Sequence, residues 1–149
     1  MTASAFERVY TIDDWYDGAR SGAVNYLGRP HAYRSLYLDF DDWDTDEDRF
    51  ELTPLSNEVL AWMIERDAIF RRFDTERQAG RVEADDEIMA LPDERARYAE
   101  LQNLVDAALA EQAARFIVRG TFEYGPQFGP TRAAARWGAV EISDPPDAV

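Results

Sequence analysis

Residues 9–40 read VYTIDDWYDGARSGAVNYLGRPHAYRSLYLDF. Val9–Tyr16 is rich in β-branched and aromatic residues and ends at Asp17-Gly18, a strong turn signal. Gly22–Leu27 forms a second short apolar run, followed by Gly28-Arg29-Pro30, another turn. His31–Phe40 carries Tyr33, Leu36, Tyr37, Leu38 and Phe40 and reads as a third strand. Two tight turns between three strands predict an antiparallel meander. Downstream, Arg49–Leu55 places Phe50 and Leu52 on one face and Arg49, Glu51 and Thr53 on the other, the alternation of a half-buried strand.

The period then changes. Val59, Trp62, Met63, Ile69, Phe70 and Phe73 recur at helical spacing, with Ser56 placed to cap the first turn and Glu58 near the positive end of the helix dipole. Gly80 is the expected stop. Arg66 falls inside this apolar stripe, so it should either pair with an acid or emerge at the stripe's edge. A second helix is expected from about Pro92, with Asp93 and Glu94 in its first turn and Tyr98, Leu101, Val105, Ala108 and Gln112 on one face. A short helical turn is expected around Glu87–Met89. The β period returns at Phe116–Tyr124, where Phe116, Val118, Phe122 and Tyr124 alternate with Ile117, Arg119, Thr121 and Glu123. Arg119 and Glu123 share a face and are candidates for a surface pair. Arg132–Ile142 is ambiguous: Ala133–Ala135 favours helix and Trp137–Ile142 favours strand. The expectation is a single α+β domain over residues 1–149, with a frayed tail at 143–149. It would consist of an antiparallel sheet, built from the N-terminal meander and the late strands, with a helical pair packed on one face.

Composition narrows the chemistry. The 149 residues include 30 acidic and 16 basic side chains, a net charge of −14. All the basic residues are arginine; there is no cysteine, and His31 is the one histidine. Thiol catalysis, disulfides, cysteine-ligated metals and lysine Schiff bases are therefore excluded. The charge disfavours direct nucleic-acid binding and anionic membrane surfaces; it favours a basic protein partner. Residues 1–113 hold 26 acids against 12 arginines, whereas residues 114–149 hold four of each. The N-terminus lacks the basic flank and apolar run of a signal peptide, and no apolar run is long enough to span a bilayer, so the expected location is cytoplasmic. The chain has no elbow-type serine motif, no paired-histidine zinc motif and no dinucleotide glycine fingerprint, and no cofactor is expected.

Two places carry candidate chemistry. The first is the turn-rich block that gathers Asp17, His31 and Tyr33. Imidazole is a general base near neutral pH, and a small hydrolase or metal-assisted enzyme built on these residues is the alternative reading. In a plain meander, however, successive turns lie at opposite sheet ends, which separates Asp17 from His31. The second is the acidic run Asp39–Glu51, with eight acids, one arginine, and Phe40, Trp43 and Phe50 among them. Asp41, Asp42, Trp43, Asp44, Asp46, Glu47 and Asp48 are the expected contact residues for a basic partner. Asp42, Asp44 and Asp46 also suggest a hard-cation site, but the calcium-loop template fails: its glycine position falls on Glu47 and its final glutamate on Thr53.

Two blocks, Tyr16-Asp17-Gly18, Arg20, Gly22 and Gly28-Arg29-Pro30-His31-Ala32-Tyr33, then Leu91-Pro92-Asp93-Glu94-Arg95-Ala96-Arg97-Tyr98-Ala99-Glu100-Leu101, together resemble a family of small uncharacterised bacterial proteins. The resemblance covers roughly residues 10–124. Ala19 stands where that pattern would have proline, and Leu27 where it would have a turn asparagine. The family carries no established activity, so the resemblance implies no functional residue. The reading from sequence is a non-catalytic acidic module, immunity-like or adaptor, that engages a basic protein partner. A structural homodimer subunit is a further alternative.

Overall fold

The computed structural model describes residues 6–36, 48–82, 89–112 and 114–142. Six strands run β1 (Glu7–Trp15), β2 (Ala19–Tyr26), β3 (Arg29–Ser35), β4 (Asp48–Pro54), β5 (Phe116–Tyr124) and β6 (Ala133–Ile142). Two helices, α1 (Asn57–Gln78) and α2 (Arg95–Glu111), lie between β4 and β5, and a single 3₁₀ turn at Pro92–Glu94 leads into α2.

Every neighbouring pair of strands is antiparallel, and β1 also pairs with β6, through Glu7↔Ala135 and Arg8↔Ala134. The sheet is therefore a closed six-stranded barrel. This corrects the expected open sheet with a helical pair on one face. The physical reason lies in β6. Its Ala133, Ala134 and Ala135 are buried, and they let the last strand come close to β1 and seal the edge that an open sheet would leave unpaired.

The local signals explain the rest. Tyr26 pairs with Arg29 across the two-residue turn Leu27-Gly28, both at positive φ, 52° and 78°. That is the backbone shape whose twist suits a hairpin. Both turn amides donate to the Glu7 carboxylate, at 2.7 and 2.6 Å. The Ser56 hydroxyl accepts from the Val59 amide at 3.2 Å and caps α1, as its sequence predicts. Pro92 opens the turn before α2, and the Arg72–Glu94 and Arg66–Gln102 contacts set the two helices antiparallel.

Two cores result. Inside the barrel, Val24, Tyr33, Phe50, Leu52, Val118 and Trp137 pack together. Outside it, Met63 of α1 and Val105 of α2 press on Ala23 and Tyr10 of the barrel wall. Thus β1 and β2 bury apolar side chains on both faces, Val9 and Val24 in the lumen cluster and Tyr10 and Ala23 against the helices. Among the described residues no helix is long and apolar enough to cross a membrane. Of the expected short helix at Glu87–Met89, Met89 alone is described and is not helical; the tail at 143–149 and most of the acidic run lie outside the described residues.

Candidate functional site

Aromatic rings fill the barrel. Phe50 and Trp137 meet edge to face at 5.6 Å, Phe122 and Trp137 at 5.9 Å, and Tyr33 lies 5.0 Å from Phe122. Gly120 makes room for this packing: a Cβ there would lie 2.4 Å from the Trp137 ring. The indole N–H of Trp137 donates to the Asn25 carbonyl at 2.8 Å, so the ring is fixed across the lumen.

Space opens instead between the outer wall of the barrel and the helix pair, in a cleft of about 540 Å³. This volume falls in the range of small-molecule sites. Its floor begins at an irregularity in β1. Ile12 pairs with Gly22 and Asp14 with Ser21, so Asp13 is an extra residue on β1. In a regular strand, adjacent side chains point to opposite faces; here Asp13 and Asp14 both line the cleft.

The Asp13 carboxylate accepts from the Arg66 guanidinium at 2.8 Å, and Arg66 donates with its other arm to the Gln102 side chain at 3.0 Å. Arg66 is buried, and this pair answers the expectation that a cation inside the α1 stripe needs an acid. Asp13 remains 23% exposed to the cleft, yet protein surrounds it. Loss of hydration pushes its carboxyl up to about 6, against the opposing pull of Arg66 and a hydrogen bond from Thr11. Asp14 accepts from the Ser21 hydroxyl at 2.7 Å. Asp67 pairs with Arg71 at 2.7 Å, while burial raises its pKa. Arg34 reaches Glu51 at 3.3 Å. Arg115 is committed to carbonyls at the end of α2, those of Gln112 and Leu109. Met63, Phe70, Met89, Val105 and Leu109 supply the apolar part of the lining.

Of the described residues named from sequence as catalytic or contact candidates, Tyr33 lines the cleft and Asp17, His31 and Asp48 do not. Asp17 sits in the β1–β2 turn and His31 near the start of β3, past the β2–β3 turn. The eight residues of β2 separate those two ends, roughly 25 Å of extended chain. The structure does not bring Asp17 and His31 together. His31 is buried between Tyr26 and Phe116, with ring centroids at 5.5 and 5.7 Å, and its Nδ1–H donates to the Arg29 carbonyl at 2.9 Å. Burial lowers its pKa, partly offset by that hydrogen bond and by Glu7. Tyr33 touches the cleft, but its hydroxyl donates to the Thr11 carbonyl at 3.1 Å and burial pushes its pKa far up. Glu123 faces Arg136 of β6 at 3.9 Å. Of the acidic contact residues, Asp48 is described and pairs with Arg20 at 3.3 Å. Asp41, Asp42, Trp43, Asp44, Asp46 and Glu47 lie outside the described residues, and with them the Asp42, Asp44 and Asp46 cation site. Among the described residues no group of three or more histidine, aspartate or glutamate side chains converges as a metal cluster.

The cleft residues that sequence reading missed are Asp13, Asp14, Gln102 and Asp106. Arg66 alone gave a signal, a cation in an apolar stripe. Comparison with protein-family models, curated proteins and solved structures finds no match for this chain.

Proposed function

We propose that the protein is a non-catalytic binding module for a basic protein partner. Its contact surface would include the β1–β2 turn and the described residues Ser35 and Asp48, between which the acidic stretch runs in sequence. One arginine carries this reading. Arg20 donates to the carbonyls of Tyr16 and Asp17 at 2.6 and 2.8 Å, and to Ser35 and Asp48 at 3.3 Å each. It therefore ties the turn to the last residue of β3 and the first of β4, the two strands between which the acidic stretch runs. Trp15 and Tyr16 beside it are 60% and 68% exposed, and Trp15 rests edge-on against Tyr124 at 5.1 Å. Exposed aromatics in a chain with so acidic a stretch suit a basic surface: charge speeds and orients the encounter, and rings supply contact area.

The test uses a labelled arginine-rich peptide read by fluorescence anisotropy. Wild-type binding should weaken steeply as salt shortens the screening distance below about 8 Å. Replacing Asp41, Asp42, Asp44, Asp46, Glu47 and Asp48 with their amides should abolish it, and Trp15→Ala should weaken what remains at high salt. Equal binding by the neutralised variant, or an affinity indifferent to salt, would overturn the proposal.

A further inference from the structure

We infer that the cleft between the barrel wall and the helix pair is a second, separate site, built for a small organic cation: a primary ammonium or an amidinium-type group on a compact apolar body. Not every carboxylate lining the cleft has a matching cation among the described residues. Asp13 is matched by Arg66, Asp67 by Arg71 and Glu51 by Arg34. Asp14 has only the Ser21 hydroxyl, and Asp106 has neither a hydrogen bond nor an ion pair among the described residues. The remaining guanidinium of the lining, on Arg115, is turned to backbone carbonyls. Two carboxylates lining one concave space thus lack a cation, which a ligand can supply.

A second observation points the same way. Thr53 is 7% exposed and lines the cleft, yet its hydroxyl makes no hydrogen bond among the described residues. Its oxygen is not sealed from solvent, so a ligand in the cleft can reach it. The Tyr98 hydroxyl and the amide nitrogen of Gln102 are likewise uncommitted at the same wall. These groups suit a ligand with several directed polar atoms. Met63, Phe70, Val105 and Leu109 face them and suit an apolar body. A hydrated metal ion would leave that apolar side without a role.

The probes are benzamidine, neutral benzamide and anionic benzoate, followed by calorimetry and by chemical shifts of the cleft amides. Benzamidine should bind saturably, and the other two should not. Asp106→Asn and Asp14→Asn should each lower benzamidine affinity by about tenfold. Both side chains are partly solvent-facing, so the fold should persist, as circular dichroism will check. Thr53→Val should weaken binding by a smaller factor. Amide replacement across residues 41–48 should leave benzamidine binding unchanged, which separates this site from the docking surface. Absence of saturable binding, equal binding of benzoate, or indifference to both aspartate changes would overturn the assignment. So would loss of binding when only residues 41–48 are altered.

Discussion

Asp13 is not held as an ordinary surface carboxylate is. Its carboxyl titrates near 6 when folded and near 3.8 in the open chain. Between those values the folded protein keeps a proton that the unfolded chain has released. The Asp13 contribution is therefore largest below about pH 4, declines as pH rises through about 6, and is flat above that. Solvent at this partly exposed residue screens the effect, so the full swing is about 1–2 kcal/mol. Urea unfolding of wild type and Asp13→Asn from pH 4 to pH 7 should show the stability difference drifting by that amount in the variant's favour. A constant difference would mean that Asp13 titrates like an ordinary surface carboxylate. The Arg66 side of the pair was readable in sequence, because a guanidinium among Trp62, Met63, Ile69 and Phe73 demands a partner. The identity of that partner was not readable: Asp13 is 53 positions away, and an irregularity in β1 turns it toward α1.

The strands and helices were largely legible. Turn glycines, the Ser56 cap and Pro92 each act over a few residues, so they mark boundaries directly. Strand β6 was legible only in its second half: Trp137–Ile142 favours strand, whereas the alanines that open it carry a helical preference that packing overrides here. Ala133, Ala134 and Ala135 are small because there is little room where they pack, a fact no local pattern records. The same kind of fit operates between β5 and β6, where Gly120 lies under the Trp137 ring. Gly120→Ala would force the indole from its seat, with its hydrogen bond to Asn25 and its contacts to Phe50 and Phe122. The expected loss is about 1–3 kcal/mol, read as a lower urea midpoint by tryptophan fluorescence. An unaltered midpoint would show that the ring can slide without cost.

Closure of the barrel accounts for where binding can occur. Tyr33, Phe50, Phe122 and Trp137 pack the lumen, and the helix pair turns one stretch of the exterior into a cleft. The sequence showed the surface charge of the whole chain but not this geometry, because the cleft draws on β1 to β4 and on both helices. Its residues come together only through the fold. The acidic stretch stood out because it is continuous in sequence.

The seam between β1 and β6 is narrow. Two residue pairs join these strands, whereas seven join β5 and β6, with the Thr131 hydroxyl on the Val9 carbonyl as a third tie nearby. Such a clasp opens at less expense than any other junction in the ring. Amide hydrogens facing each other across it should exchange with deuterium before those between β2 and β3, through excursions too small to unfold the rest. Each excursion bares two strand edges at once, so the fidelity with which this chain keeps to itself depends on how quickly a few alanines near its end find β1 again.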